Sequence, residues 1–348
     1  MIDLINKLEK NRTLTLEEYE YLIVNRNKEY AEILAEKAFS AKQRIYGDTI
    51  FIRGLVEISS FCKNDCIYCG IRRSNKKCER YRLTKEQILE CCREGYSLGF
   101  RTFVLQGGED LYFSDDFVCE IVSEIKGDYP DCAVTLSLGE RSKESYKKIY
   151  DAGADRYLLR HETADKEHYE KLHPSEMSFE KRMECLHNLK EIGFQTGCGF
   201  MVGSPYQTAK TLAEDLKFVE QFKPHMCGIG PFIPHRETPF ASEKAGSVEL
   251  TCYLLSIIRL ISPSILLPAT TALGTVDPVG REKGILAGAN VVMPNLSPAD
   301  VKGKYEIYDN KLTGGAEAAK NKAELECRME SIGCRVVTDR GDFVKERM

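Results

Sequence analysis

The sequence has no strong excess of charge of either sign. Its 348 residues include 49 Lys and Arg and 53 Asp and Glu, which leaves a formal net charge of −4 at pH 7. A protein that coats nucleic acid needs a basic surface, so this balance argues against that class. Low-complexity tracts and short internal repeats are also missing, and 43% hydrophobic with 29% charged residues is a globular composition rather than a disordered one.

Long hydrophobic runs are missing as well. The longest apolar stretch, residues 250–268, is interrupted by Arg259 and Pro263, so we do not expect it to span a membrane. The N-terminus lacks the charged and then apolar pattern that directs export. We therefore expect a cytoplasmic protein in a reducing compartment, with no membrane or nucleic-acid partner. In that setting, 14 cysteines indicate a metal or cluster site for a few and burial for the rest.

From about residue 50 the sequence shows a repeated strand–loop–helix pattern. The predicted strands are eight short apolar runs, at 50–58, 102–106, 133–137, 156–160, 196–201, 226–230, 265–269 and 290–293. Helical patterns lie between them, which predicts an α/β fold of the (βα)8 TIM-barrel type, with an open doubly wound sheet as the less favoured alternative. The predicted domains are an N-terminal helical extension (1–47), the barrel (48–295) and a C-terminal segment packed on the barrel (296–348).

The strongest motif is Cys62-Lys-Asn-Asp-Cys66-Ile-Tyr-Cys69, directly after the first predicted strand. In a barrel that position is the catalytic end. Three thiolates at this spacing can hold a 4Fe-4S cluster and leave one iron without a protein ligand. A zinc site would need a fourth ligand, for which Cys78 is the candidate. Three unrelated buried thiols are the other alternative, but the spacing favours the cluster.

Two polar motifs follow the second and third predicted strands. Gln106-Gly107-Gly108-Glu109 has glycines that allow the backbone to approach a ligand closely, and its carboxylate could pair with an ammonium group. Thr135 and Ser137 alternate along the next strand, so their hydroxyls share one face, expected to be the barrel interior. Interior hydroxyls need partners, which are either a ligand or the neighbouring backbone.

The fourth predicted strand carries charge. Arg156 and Arg160 share one face of it, and charged groups inside a barrel are costly unless they are paired. They indicate either an anionic substrate or buried ion pairs, with Glu162 or Asp155 as candidate partners. After the sixth strand, the proline-containing loop 228–235 is suited to hold an adenine ring.

The cysteine spacing is the signature of the radical S-adenosylmethionine superfamily, which the chain resembles. The segments YLLRHETA, GIGPFIPH, LPATTALGT and NVVMPN, in this order, further resemble the FeFe-hydrogenase maturase family HydE, over about residues 48–295. The resemblance implies a complete (βα)8 barrel with one 4Fe-4S cluster and S-adenosylmethionine as cofactors, which together generate a 5′-deoxyadenosyl radical. It also implies a role in assembling the hydrogenase H-cluster, on an iron-bound cysteine precursor.

The resemblance also implies roles for individual residues. Those expected to hold the cluster are Cys62, Cys66 and Cys69. Those expected to contact S-adenosylmethionine are Tyr68, Gln106, Gly107, Gly108, Glu109, Ser137, Glu162, Arg182 and Ile229. Those expected to line the substrate cavity are Thr135, Arg156, Arg160, Thr270, Thr271 and Met293. Some family members carry an accessory cluster in the tail, but Cys327 and Cys334 alone do not complete one, so we expect none here.

Two alternative functions stay open. Another enzyme of the same barrel type, such as methylornithine synthase or biotin synthase, is the nearer one. A biotin synthase would need several thiols inside the barrel, and Cys132, Cys198 and Cys227 form no obvious site. A non-catalytic iron–sulfur carrier would have no need for Glu109, Glu162 and Arg182. The expected partners are a small or organometallic substrate, a reductant protein such as a ferredoxin or flavodoxin, and other hydrogenase maturases.

Overall fold

The computed structural model describes residues 1–314 and 319–345, in which strands and helices alternate as predicted. The strands are β1 Thr49–Ile52, β2 Gly54–Ser59, β3 Thr102–Gly107, β4 Ala133–Ser137, β5 Arg156–Leu158, β6 Gln195–Cys198, β7 Met201–Val202, β8 Met226–Cys227, β9 Gly230–Pro231, β10 Val291–Val292 and β11 Arg335–Val337. The helices are α1 Ile2–Asn11, α2 Leu16–Val24, α3 Lys28–Tyr46, α4 Lys85–Ser97, α5 Asp115–Asp128, α6 Lys143–Asp151, α7 Lys166–Leu172, α8 Phe179–Ile192, α9 Ala209–Phe222, α10 Val248–Ile261, α11 Thr271–Val276, α12 Gly280–Leu286 and α13 Lys322–Glu330.

The parallel strands close into a barrel. Six of them form one sheet in the order β2-β3-β4-β5-β6-β8. Single parallel bridges complete the ring, between Met226 and Leu266, between Pro268 and Val291, and between Leu55 and Asn295. The sheet therefore returns to its own first strand, and the predicted α/β barrel is confirmed.

The first predicted strand, 50–58, is divided at Arg53 into β1 and β2. The pairing of β3 with this region begins only at Gly54, so β3 does not pair with β1. Strand β11 pairs with β1 along that edge instead. The prediction of a regular strand at 265–269 is wrong. Pro268 lies in the middle of it, and proline has no N–H to donate to a ladder.

The predicted strands 196–201 and 226–230 are each interrupted at a glycine. A Cβ atom on Gly199 would lie 2.1 Å from the carbonyl oxygen of Gly228. The two backbones therefore approach too closely for a side chain at this position. Beyond the glycines the two strands continue as β7 and β9, which pair with each other over two residues each.

Helices cover the outside of the barrel. Helix α4 begins with a capping box in which the Thr84 hydroxyl accepts from Gln87 N–H and the Gln87 side chain accepts from Thr84 N–H. The N-terminal helices form a further layer, with α3 packed on α10 and α2 on α9. Among the described residues, no helix is both long and apolar enough to cross a membrane.

The C-terminal segment reaches both ends of the barrel. Strand β11 pairs with β1, and beyond it the ring of Phe343 lies 4.8 Å from that of His225 at the N-terminal end. Residues 305–312, which we call the strap, cross the C-terminal end, where Gly70 N–H donates to the Ile307 carbonyl at 2.9 Å. The division into domains 1–47, 48–295 and 296–348 stays a prediction, and 315–318 and 346–348 lie outside the described residues.

Candidate active site

The three cysteines of the motif lie on the loop between β2 and α4, at the C-terminal end of the barrel strands. The loop fixes its own shape with polar contacts. The Asp65 carboxylate accepts from Arg72 Nε at 2.8 Å and from the Ser74 hydroxyl at 2.8 Å. The Arg72 guanidinium is the main cause that lowers the pKa of Asp65. Arg80 donates to the Ile71 carbonyl at 2.8 Å, so the backbone is held in place without a ligand.

The thiols themselves are protonated at neutral pH in the absence of a metal. Burial raises the pKa of Cys62, raises that of Cys69 to about 12 and raises that of Cys66 well above its usual range. The neighbouring thiols add to the shift at Cys66 and Cys69, because one thiolate disfavours the next. Iron coordination reverses this penalty by removing the protons, so three neighbouring half-buried thiols on one loop fit a cluster.

A site for a single ion is a poorer fit. Across residues 1–314 and 319–345, no group of three or more His, Cys, Asp or Glu side chains converges as one metal ion requires. Cys78 is half-buried and lies near Cys69. The arrangement therefore gives no support to the zinc alternative, in which Cys78 would be the fourth ligand.

The glycine motif after β3 supports the cysteine loop directly. A Cβ atom on Gly108 would lie 2.1 Å from the Phe61 carbonyl oxygen and 2.8 Å from Cys62 Cβ, so only glycine fits. Gly107 is less crowded, with Ile58 Cγ1 at 3.3 Å.

Glu109, the last residue of the motif, forms an ion pair with Lys63 at 3.1 Å. Its side chain also lies against Gly139, where a Cβ atom would be 1.9 Å from Glu109 Cγ. Gln106 approaches the strap, with its Nε2 3.5 Å from the Tyr305 hydroxyl. The motif thus joins the cysteine loop, β4 and the strap.

Glu162 lies just beyond β5 in an unusual conformation. Its φ is +66°, which is uncommon for a residue with a side chain and is often found at functional sites. Its Oε2 is buried and has no hydrogen-bond partner among the described residues. The nearest cation is Arg160, whose Nη2 is 3.6 Å away, too far for a hydrogen bond. A buried carboxylate oxygen without a partner is what hydroxyl groups of a ligand would satisfy.

Arg182 and Tyr68 lie beside Glu162. Arg182, on α8, is buried and donates to Glu140 Oε1 at 2.6 Å and to the Arg160 carbonyl at 2.6 Å. The Tyr68 hydroxyl is 3.3 Å from His173 Nε2, and burial raises its pKa well above the usual value. Both groups therefore keep their ordinary protonation states, a cation and a neutral phenol.

Further polar atoms without partners lie within β4, just beyond β5 and just beyond the run 265–269. Thr135 Oγ1, Arg160 Nε and Nη2, and Thr270 Oγ1 are buried and have no hydrogen-bond partner in the described part of the chain. Thr270 is the N-cap residue of α11, yet its hydroxyl makes no cap hydrogen bond, whereas Thr208 caps α9 in the usual way. Such orphaned groups fit a polar ligand in the barrel. Ser137, at the end of β4, is in register with Gln106 of β3.

The expected role of Arg156 in binding substrate needs a correction. Arg156 is fully buried towards the N-terminal end of the barrel, where it donates to Asp342 Oδ1 at 2.6 Å, Thr102 Oγ1 at 3.0 Å and the Arg340 carbonyl at 2.9 Å. Neither expected partner, Glu162 or Asp155, is the one it contacts. The Arg156 guanidinium already donates hydrogen bonds to Arg340 and Asp342 of the C-terminal segment.

Ile229 also differs from expectation. Its side chain belongs to the main hydrophobic core, so only its backbone is left to face a ligand. Met293 packs near Phe51 and Met226, and Thr271 is the first residue of α11.

Sequence reasoning missed Glu57 and its partner. Glu57 Oε1 is 2.5 Å from Lys311 Nζ of the strap, and Oε2 accepts from Asn295 Nδ2 at 2.9 Å. Glu57 is fully buried and in register with Gln106. A charged residue within an apolar strand is a signal that could have identified Glu57. Nothing in the sequence indicated Lys311 as its partner.

Comparison with known proteins identifies the family of the chain. A model of the radical SAM superfamily matches residues 56–219. The chain is 43% identical over 330 residues to the FeFe-hydrogenase maturase subunit HydE of Thermotoga maritima, which covers 95% of this chain and 93% of that protein. The chain belongs to the HydE family of radical S-adenosylmethionine enzymes. Enzymes of this superfamily bind a 4Fe-4S cluster and S-adenosylmethionine, so a non-catalytic carrier is set aside.

Other relatives share the barrel. The 3-methylornithine synthase of Methanosarcina acetivorans is 30% identical over 278 residues, 79% of this chain and 77% of that protein. The crystal structure of a methylornithine synthase superposes with a TM-score of 0.84 at 26% identity, over 96% of this chain and 97% of that one. The hydrogenase maturase HydG superposes with a TM-score of 0.78 at 21% identity, over 96% of this chain and 75% of that one, which shows a shared fold.

Proposed function

We propose that this HydE-family enzyme acts in assembly of the FeFe-hydrogenase H-cluster, on an iron-bound cysteine precursor. The observation that carries the proposal is the 43% identity to a maturase subunit over nearly the full length of both chains. The orphaned polar atoms of Thr135, Arg160 and Thr270 support it, because a precursor with carboxylate and cyanide groups offers acceptors for their O–H and N–H groups.

Cys62, Cys66 and Cys69 would hold the single 4Fe-4S cluster. The residues proposed for S-adenosylmethionine are Tyr68, Gln106, Gly107, Gly108, Glu109, Ser137, Glu162 and Arg182, with Ile229 through its backbone. When bound, the cluster and S-adenosylmethionine supply a 5′-deoxyadenosyl radical. The chain's own groups bind and orient: the free oxygen of Glu162 would accept ribose hydroxyls, and the buried Arg182 would face the methionine carboxylate.

The substrate residues in this proposal are Arg160, Thr135, Thr270, Thr271 and Met293. We also propose that the enzyme works in the cytoplasm, takes electrons from a ferredoxin or flavodoxin, and cooperates with other maturases, without a nucleic-acid or membrane partner.

The proposal is tested with anaerobically reconstituted protein. We expect about four irons per chain, reductive cleavage of S-adenosylmethionine to 5′-deoxyadenosine, and activation of apo-hydrogenase when the protein completes a mixture of the other maturases. The Cys66→Ser variant should lose the cluster, whereas Cys78→Ser is the matched control and should keep it. About eight irons per chain would contradict the single cluster. Formation of 3-methylornithine without any hydrogenase activation would favour the methylornithine synthase alternative.

A further inference from the structure

The turn that carries Glu162 is held from outside the barrel. A non-glycine residue with positive φ persists only where its surroundings hold it. The Glu162 N–H donates to the Gly199 carbonyl at 3.0 Å, and the Gly199 N–H in turn donates to His161 Nδ1 at 3.2 Å. These two bonds tie Glu162 to the end of β6 on one side.

His161 is a neutral support in this arrangement. It is fully buried, with the rings of Phe200 and Phe218 at 5.7 and 4.6 Å, and burial lowers its pKa to about 3. Because Nδ1 accepts a hydrogen bond, the single proton lies on Nε2. That atom lies 3.3 Å from Asp215 Oδ1, a close contact without the geometry of a hydrogen bond.

Asp215, on α9, completes the support. It is fully buried, and its Oδ1 accepts from Ala164 N–H at 2.6 Å. Burial raises the pKa of Asp215 well above its usual range, against the lowering effect of the Ala164 N–H, and the nearby Glu214 and Asp165 add to the rise. This shift favours the uncharged carboxyl, which has the shape of an asparagine side chain and, like it, an oxygen that accepts from Ala164 N–H.

We propose that Asp215 is a positioning residue that holds Glu162 in its ligand-binding orientation. It touches the residues on both sides of Glu162, His161 before it and Ala164 after it. It does not reach the ligand itself, because Asp215 and His161 are both fully buried and His161 packs on Phe218 of the outer helix α9. The inference rests on the proposed role of Glu162 in binding S-adenosylmethionine.

The test compares two replacements of Asp215 in the cluster-loaded protein. Asp215→Asn keeps the acceptor and should bind S-adenosylmethionine within about twofold of wild type, whereas Asp215→Leu removes it and should raise the Kd by about tenfold. Iron content should be unchanged in both. The change that S-adenosylmethionine causes in the electron paramagnetic resonance spectrum of the reduced cluster should be retained in the Asn variant and weakened in the Leu variant. If the Asn variant binds S-adenosylmethionine normally, Asp215 acts through its shape and hydrogen bond and not through a negative charge.

A double variant shows whether Asp215 acts through Glu162. If it does, Asp215→Leu should add little to the loss already caused by Glu162→Ala. Full additivity, or normal binding by Asp215→Leu, would overturn the proposal, as would an Asn variant that binds as weakly as the Leu variant. Normal binding by Glu162→Ala alone would instead overturn the role of Glu162. If the Leu variant does not retain its cluster, Asp215→Ala, which adds no bulk, serves for the same comparisons.

Discussion

The ion pair between Lys311 and Glu57 attaches the strap to the barrel, and its removal should be measurable in the melting temperature. Both side chains are buried, with 6% and 0% of their surfaces exposed. Replacement of Lys311 by Met keeps an apolar stem of similar length beside Tyr305 but leaves the Glu57 carboxylate without its cation. The other carboxylate oxygen still accepts from Asn295.

The expected loss follows from this arrangement. Removal of one partner of a buried ion pair costs about 3–5 kcal/mol, and the remaining Asn295 contact places Lys311→Met at the lower end, about 3 kcal/mol. An unfolding entropy of about 2.1 cal/mol/K per residue amounts to about 0.7 kcal/mol/K for this chain, so the melting temperature should fall by about 4 °C.

The assay is thermal unfolding of the cluster-loaded protein under anaerobic conditions. The matched control is Lys304→Met, which breaks a pair with Glu79 at 2.6 Å in the same segment, where both side chains are more exposed. Exposed ion pairs contribute little to the free energy of unfolding, so the control variant should have the melting temperature of the wild type.

The double variant Glu57→Gln/Lys311→Met removes the unpaired charge and should melt well above Lys311→Met. Equal melting of Lys311→Met and Lys304→Met would refute the reasoning. So would a double variant whose loss is the sum of the two single losses.

Three further predictions follow from the barrel. Arg160→Lys keeps the charge but not the planar pair of donors, so uncoupled S-adenosylmethionine cleavage should persist while precursor turnover falls at least about tenfold; equal losses in both assays would contradict this. Asp342→Asn weakens the main partner of Arg156 and should lower stability without changing the cofactor Kd, as measured by urea unfolding and equilibrium dialysis. His161 has a pKa of about 3 in the folded chain and about 6.5 unfolded, so the unfolded chain binds more protons below pH 6.5. In the wild type the free energy of unfolding should therefore fall as the pH falls below 6.5. Replacement of His161 by Gln should reduce this slope by up to about 1.4 kcal/mol per pH unit, measured by urea unfolding between pH 5 and 6.

The barrel was predictable because its signals are local. The runs at 102–106 and 133–137 match β3 and β4 closely, since each is a short, mainly apolar segment followed by a loop. Where the backbone departs from regular pairing, local signals fail: Pro268 prevents a ladder, and the close approach of Gly199 to Gly228 interrupts two strands.

The site was predictable in part for the same reason. The cysteine spacing and the glycine motif are contiguous in sequence, and the structure places Gly108 against Cys62. The roles of the predicted ligand-binding residues stay predictions. Arg156 was misassigned because its partner, Asp342, lies 186 residues away, and no local pattern reports a contact at that separation.

The position of Asp342 has a consequence for how the chain folds during synthesis. All the strands of the ring, and Arg156 within it, are synthesised before residues 340–342. Until then the Arg156 guanidinium lacks the carboxylate that neutralises it, and a desolvated cation of this kind is strongly unfavourable. The nascent barrel must therefore keep its N-terminal end hydrated, and dry packing of the interior becomes a late event that the tail completes. Extensions or truncations after β11 are expected to act on folding yield even though they lie at the opposite end from the cysteines.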